Sequence, residues 1–390
     1  MIRPAMHAAA AALLLLPAAL SAQLGSYNPE PGPRATVAIV NARIVPVVGA
    51  EIARGTIVIA DGVIQAVGAG VAVPTGARVI DGSGLSVYPG MMDAGTDMGL
   101  TEIGSGGASA TIDNAETGNW NPNAQAIWGI NPHSAHIGVT RVVGITHVVS
   151  RPGGSILSGQ AALINLAGYT APAMAVVPRV ASVIQLPGQG GGRGGGGGRF
   201  GGGQAPTPAG GMTPLDSLKQ LLADAKAYGA AVAAHAEDPS LPRLDTDLVL
   251  ASLLPVLSGE MPVIFPAESE SQIKEAVAFA EEQGLSPIIL GARDAWRMTE
   301  YLVEHKVPVL FSNTLSLPSR DDDPYDANYA AAAKLAAAGV RFAITSGEGN
   351  PDVRNLPYVA GMAAAFGLSH EDAIKSVTLW PAEIFGVADR

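Results

Sequence analysis

From Met261 onward the chain repeats one pattern, a short apolar run followed by an amphipathic helix. "MPVIFPAE" precedes "ESQIKEAVAFAEEQG", "SPIILG" precedes "RDAWRMTEYLVEH", "VPVLFS" precedes "DANYAAAAKLAAAG", and "VRFAITS" precedes further helices. Short apolar runs between turn residues read as strands, and 3.6-residue periodicity closed by glycine reads as helix. Strands joined through helices must lie parallel, so this half of the chain specifies a parallel sheet, either open or closed into a barrel. The pattern alone admits both.

The stretch before it behaves differently. From Ala35 to Ser86 apolar and polar residues alternate in "TVAIVNARIVPV" and "GTIVIADGVIQAVG", with Asp61-Gly62 as a hairpin turn. A small β unit is expected there. "SLKQLLADAKAYG" adds another amphipathic helix, preceded by "GQGGGRGGGGGRFGGGQAPTPAGG", Gly188 to Gly211, which cannot bury apolar area and reads as a mobile loop or linker. Its Arg193 and Arg199 are similar to those of RNA-binding glycine-arginine tracts, but an acidic chain favours the linker reading. The expected division is a signal peptide over 1–22, the β unit over 23–86, and a larger domain over 87–390 carrying the insertion 188–211.

"MIRPAMHAAAAALLLLPAALSAQ" has a basic start, an apolar centre and a small-residue exit, the plan of a secretory signal peptide. Its apolar run is shorter than the roughly 20 residues that span a bilayer. Position 23 is Gln, where a lipoprotein would need cysteine, and the 390-residue chain has no cysteine. A periplasmic or secreted protein without lipid anchor or disulfide is expected. The formal net charge of −11 makes nucleic acid and anionic lipid poor partners. "GSGGASA" near Gly104 lacks the lysine of a phosphate loop and the glycine spacing of a dinucleotide site, and reads as loop.

Several strings resemble the amidohydrolase superfamily, in particular its imidazolonepropionase-like branch: "VNARIVP", "IADGVIQAVG", "VIDGSGLSVYPGMMDAGTD", "GVTRVVGITHVV" and "GLSHEDAIKSVTLWPAEIFGVAD". The resemblance implies a (β/α)8 TIM-type barrel with a small β-sandwich portion. It also implies hydrolysis of amide, lactam or related C–N bonds by water activated on one or two divalent metals such as zinc. Such relatives read "DAHTH" at the end of the first barrel strand, where this chain has Gly95 and Asp97 in place of the two histidines. The ligand places of strands five, six and eight fall on Pro266, on Leu290 or Gly291, and on Ser346. No cofactor is therefore expected. The bridging lysine that some members place on strand four cannot be located in the sequence. Relatives continue beyond "PAEIFGVADR" with strands that complete the sandwich, so either the sequence is truncated at Arg390 or the sandwich is incomplete, with unpaired edges that would invite association.

The remaining candidates are modest. Asp97, Glu102, Glu268 and Glu348 fall near expected strand ends and, with His147 and Ser346, are candidates to line a polar pocket. Two such carboxylates could serve as acid and base without metal. His133 and His136 are spaced to share a helix face, but with no third ligand they read as structural or capping residues near a helix start at Asn131-Pro132. His235 reads as a helix-end cation and His305 and His370 as helix-end residues. "SRDDDPYD" lacks the alternating spacing of a calcium loop. Two functions are compatible with this pattern. One is an exported hydrolase of C–N bonds with a degenerate metal site. The other is a non-catalytic barrel that binds a small molecule, forms a homo-oligomer, or partners an active paralogue.

Overall fold

The computed structural model describes residues 35–102, 112–188, 212–347 and 350–389. The signal-peptide reading, nearly all of the glycine tract and Glu348 lie outside these residues. No helix among the described residues is long and apolar enough to cross a membrane.

The first unit is one five-stranded sheet with β1 (Val37–Ile44) at its centre. β2 (Ile52–Ala60) pairs antiparallel with β1 and continues into β3 (Val63–Gly68). The turn between β2 and β3 is Asp61-Gly62, with φ of 54° and 80°, the left-handed pair that an Asp-Gly hairpin turn supplies. β4 (Arg78–Asp81) and β5 (Ser86–Val87) lie parallel to β1 on its other side.

The second unit is an eight-stranded sheet in sequential order: β6 (Met91–Thr96), β7 (Ile145–Ser150), β8 (Leu157–Asn165), β9 (Ala175–Ile184), β10 (Val263–Ala267), β11 (Pro287–Gly291), β12 (Val309–Phe311) and β13 (Phe342–Ile344). The expected number of strands is present, but the regular (β/α)8 alternation is not: β8 runs antiparallel to both β7 and β9. The reason is chain length. Parallel neighbours need a crossover of a dozen or more residues, whereas 151–156, "RPGGSI", and 166–174 are too short to return the chain to the starting end. The remaining neighbours are parallel.

The sheet curls until β13 approaches β6, and the late chain seals the seam. The Met92 N–H donates to the Val377 carbonyl at 2.8 Å, and the Ile344 N–H donates to the Ser376 carbonyl at 3.0 Å. Two cores result. Val263, Phe265, Ile289, Val309, Phe311, Phe342 and Ile344 pack outward among the surrounding helices. Their alternates Ile264, Ile288, Leu290, Leu310 and Ala343 join Met92, Ala94, Val149 and Leu163 in the barrel lumen. Some helices are cut by their own caps. Glu270–Gln283 begins at a reciprocal box between Ser269 and Gln272 and stops at Gly284, whose φ of 73° suits glycine.

Candidate functional site

In a barrel the strand ends carry the chemistry, and β6 brings the most unusual group there. The Asp93 side chain is fully buried. Its Oδ1 accepts from Thr345 Oγ1 at 2.5 Å and from the Gly95 N–H at 3.4 Å. Its Oδ2 accepts from the Ser346 N–H at 3.1 Å and from the Ser346 hydroxyl. Burial pushes the Asp93 carboxyl above the ordinary aspartate value, against the downward pull of these hydrogen bonds. Asp93 thus ties β6 to the end of β13 across the seam.

Two residues on, Gly95 faces β11. A Cβ placed on Gly95 would stand 2.7 Å from Leu290 Cδ1 and 3.2 Å from Thr345 Oγ1. The space into which a side chain at 95 would grow is filled by Leu290, which is 3% exposed. Thr96 is buried, and its hydroxyl donates to the Val149 carbonyl at 3.4 Å and accepts from the Met98 N–H at 3.2 Å. The half-buried Asp97 accepts the Leu100 N–H on its carbonyl at 2.9 Å.

A second polar cluster joins the ends of β10, β11 and β12. Glu268 Oε2 accepts from Asn313 Nδ2 at 2.8 Å and from the Arg293 N–H at 3.2 Å. Asn313 Nδ2 also donates to the Gly291 carbonyl at 2.9 Å, and Asn313 Oδ1 accepts from Arg293 Nε at 3.2 Å and from Ser316 Oγ at 3.0 Å. Gly291 has φ +94°, and a Cβ there would meet Glu268 Oε1 at 2.5 Å. Only glycine lets the carboxylate lie over this strand end.

The other sequence candidates go elsewhere. Glu102 accepts from Ser134 Oγ at 2.9 Å and Asn131 Nδ2 at 3.2 Å, and its carbonyl lies 3.0 Å from His136 Nε2, so it gathers the start of helix Ala135–Val142. That helix begins after Ser134, slightly later than Asn131-Pro132 suggested. His147 sits opposite Met92, below the end of β7 at Ser150. Its Nδ1 lies 2.8 Å from Thr146 Oγ1, and burial lowers its pKa. His133 packs edge-on to Tyr169, with ring centroids 4.8 Å apart, and His235 Nδ1 lies 2.7 Å from the Leu241 carbonyl. His305 Nδ1 meets Glu281 at 2.5 Å, and His370 opens helix His370–Lys375. In "SRDDDPYD", Asp323 pairs with Arg297 and Ser319 donates to Asp294 at 3.0 Å, so the loop is pinned by an ion pair and a hydrogen bond. Glu348 lies outside the described residues.

The donors at these strand ends do not suit the divalent metal that the resemblance implies. Gly95 and Pro266 carry no ligand atom, Leu290 is apolar, and the Ser346 hydroxyl is committed to Asp93. β9, in the place of strand four, reads "AVVPRVASVI" and has no lysine. Among the described residues no three His, Cys, Asp or Glu side chains group as a metal would require. The sequence reading passed over Asp93, Arg293 and Asn313. Asp93 stood in the quoted motif but reads there as ordinary strand, and the other two come together only through the sheet.

No protein-family model matches the chain, and no curated protein is matched by its sequence. Solved structures are similar. An amidohydrolase from Thermotoga maritima MSB8 superposes with a TM-score of 0.77 at 23% identity, over 91% of this chain and 90% of that one. A Xaa-Pro dipeptidase gives 0.50 at 14% identity, over 91% and 90% of the two chains. Molinate hydrolase gives 0.51 at 14%, over 92% and 87%. At such identities the likeness carries the architecture, and the architecture is that of solved amidohydrolases.

Proposed function

We propose that this chain is an exported barrel of the amidohydrolase superfamily that serves as a binding or partner module in place of metal-dependent hydrolysis. The observation that carries this reading is Leu290, which fills the lumen beside Gly95 where a ligand side chain on β6 would project. A bound metal brings the pKa of water to about 7, and without it water is a weak nucleophile towards an amide. The N-terminal "MIRPAMHAAAAALLLLPAALSAQ" supports delivery to the periplasm or beyond. A metal-complete paralogue is the partner this reading favours. The test is a hydrolysis panel of amides, lactams and acyl-amino acids with purified mature protein, with added zinc or manganese and with chelator. Rates indistinguishable from the blank are expected in every arm. Metal-stimulated turnover would overturn the reading.

One observation favours a second reading, hydrolysis of a C–N bond without metal. Glu268 stands at the end of β10 with its carboxylate oriented by Asn313 and the Arg293 N–H, as a general base must be. Chelator-resistant turnover abolished by Glu268→Gln would establish this reading over the first.

A further inference from the structure

Over the ends of β6, β7 and β8 lies a cavity of about 320 Å³ that plays no part in either reading above. Its volume falls at the small end of the roughly 300–1,000 Å³ typical of ligand pockets. The walls are fixed to the barrel through the main chain. The Asp113 N–H donates to the Leu100 carbonyl at 2.7 Å, the Gly153 N–H to the Asn114 carbonyl at 2.7 Å, and the Gln160 N–H to the Ala124 carbonyl at 2.8 Å. Gly159, with φ +123°, permits the last approach, since a Cβ there would meet the Ala124 carbonyl oxygen at 2.6 Å. The cavity is preorganised by strand ends and does not depend on its own side chains.

Those side chains have hydrogen-bonding capacity to spare. Asp113, Asn114, Glu116, Asn123 and Gln125 line the cavity, and none of their side chains hydrogen-bonds another described residue. Trp128, also in the lining, is 71% exposed. A large aromatic left that open presents a flat apolar face to a ligand in the cavity.

We infer that this cavity binds a neutral polyhydroxyl ligand, a sugar ring laid with its C–H face against the Trp128 indole. Three carboxamides offer donors and acceptors side by side, and two carboxylates offer acceptors only. A sugar hydroxyl both donates and accepts, so it uses all of these groups. An ammonium cation only donates and a metal cation takes only oxygen lone pairs, so either would leave the amide N–H groups idle, and an anion would be repelled by Asp113 and Glu116. The flat indole matches the apolar face of a pyranose, while the hydroxyls at its rim reach the amides. The site is independent of whether the barrel hydrolyses anything.

The test is calorimetric titration of the mature protein with cellobiose, maltose and their tetrasaccharides, with spermidine as the cationic comparison. Saturable binding of at least one saccharide is expected, with a shift in indole emission. Trp128→Ala and the double variant Asn123→Ala with Gln125→Ala should each weaken it about tenfold or more, with melting temperature unchanged because the altered side chains stand at the surface. Failure of every saccharide to bind, binding untouched by these variants, or tight spermidine binding in place of saccharide would overturn the proposal. Because the readout is binding alone, its failure is separate from any result of the hydrolysis panel.

Discussion

Gly95 on β6 and Leu290 on β11 share one place in the lumen: the leucine Cδ1 lies 2.7 Å from where a Cβ on the glycine would stand. Their identities are therefore coupled. Adding a methyl by Gly95→Ala overpacks the lumen and should cost about 1–3 kcal/mol. Truncation by Leu290→Ala should cost about 2–5 kcal/mol through the cavity it leaves. The double variant should be more stable than the sum of the two costs allows, because each change relieves the other. Denaturant unfolding of the four proteins measures the coupling. Strict additivity would show that the two residues do not compete for this space.

Asp93 should impose a pH dependence on stability. Its pKa in the fold is raised, chiefly by burial, so the folded state holds the proton at a pH where the unfolded chain has released it. The stability linked to this group is fully present below the unfolded value of about 3.9 and is lost as pH rises through the raised folded value. Relative to Asp93→Asn, which does not titrate, the native chain should lose stability across that window. Urea melts at a series of pH values test this. A relative gain with rising pH would mean that the hydroxyls of Thr345 and Ser346 outweigh burial.

Asn313, just past β12, ties it to β11 through the Gly291 carbonyl and to β10 through Glu268, and is 4% exposed. Asn313→Ala should cost about 1–3 kcal/mol by removing one donor each from the Gly291 carbonyl and Glu268 Oε2, which keep only the longer bonds from the Ser312 and Arg293 N–H groups. Asn313→Asp should cost more at neutral pH, since it places a second carboxylate against Glu268, and should recover part of the loss on acidification. Thermal melts at two pH values separate the variants, and equal losses would show that the contact with Glu268 contributes little.

The small sheet exposes apolar side chains at both edges. Ile64 on β3 is 61% exposed and Val79 and Ile80 on β4 are 54% and 39% exposed. Open edges with apolar residues favour association. Ile64→Lys combined with Val79→Lys should lower concentration-dependent light scattering without lowering the melting temperature. Unchanged scattering would place the sticky surface elsewhere.

Much of the barrel was legible in the sequence because its strands and helices announce themselves by period: "SPIILG" became β11, and "ESQIKEAVAFAEEQG" became a capped helix ending at its glycine. The reversal of β8 was legible only in the shortness of "RPGGSI", a turn signal that the serial βα pattern obscures. The candidate site was read less well. Positions 95 and 97 stood in the motif, and 266, 290 or 291 and 346 were expected from the resemblance, but Leu290 filling the space beside Gly95 is a tertiary fact. Asp93 looked like any strand residue until β13 came round to meet it. Glu102, placed near a strand end by the pattern, instead serves the start of a neighbouring helix.

The proposed function requires a barrel end that is packed and holds no metal. Competition of the purified protein against a chromophoric chelator for zinc tests this. The protein should withdraw well below about one equivalent of zinc, because a tight site needs three or four protein donors and Asp97 supplies one. Withdrawal of one full equivalent, lost on Asp97→Ala, would contradict it.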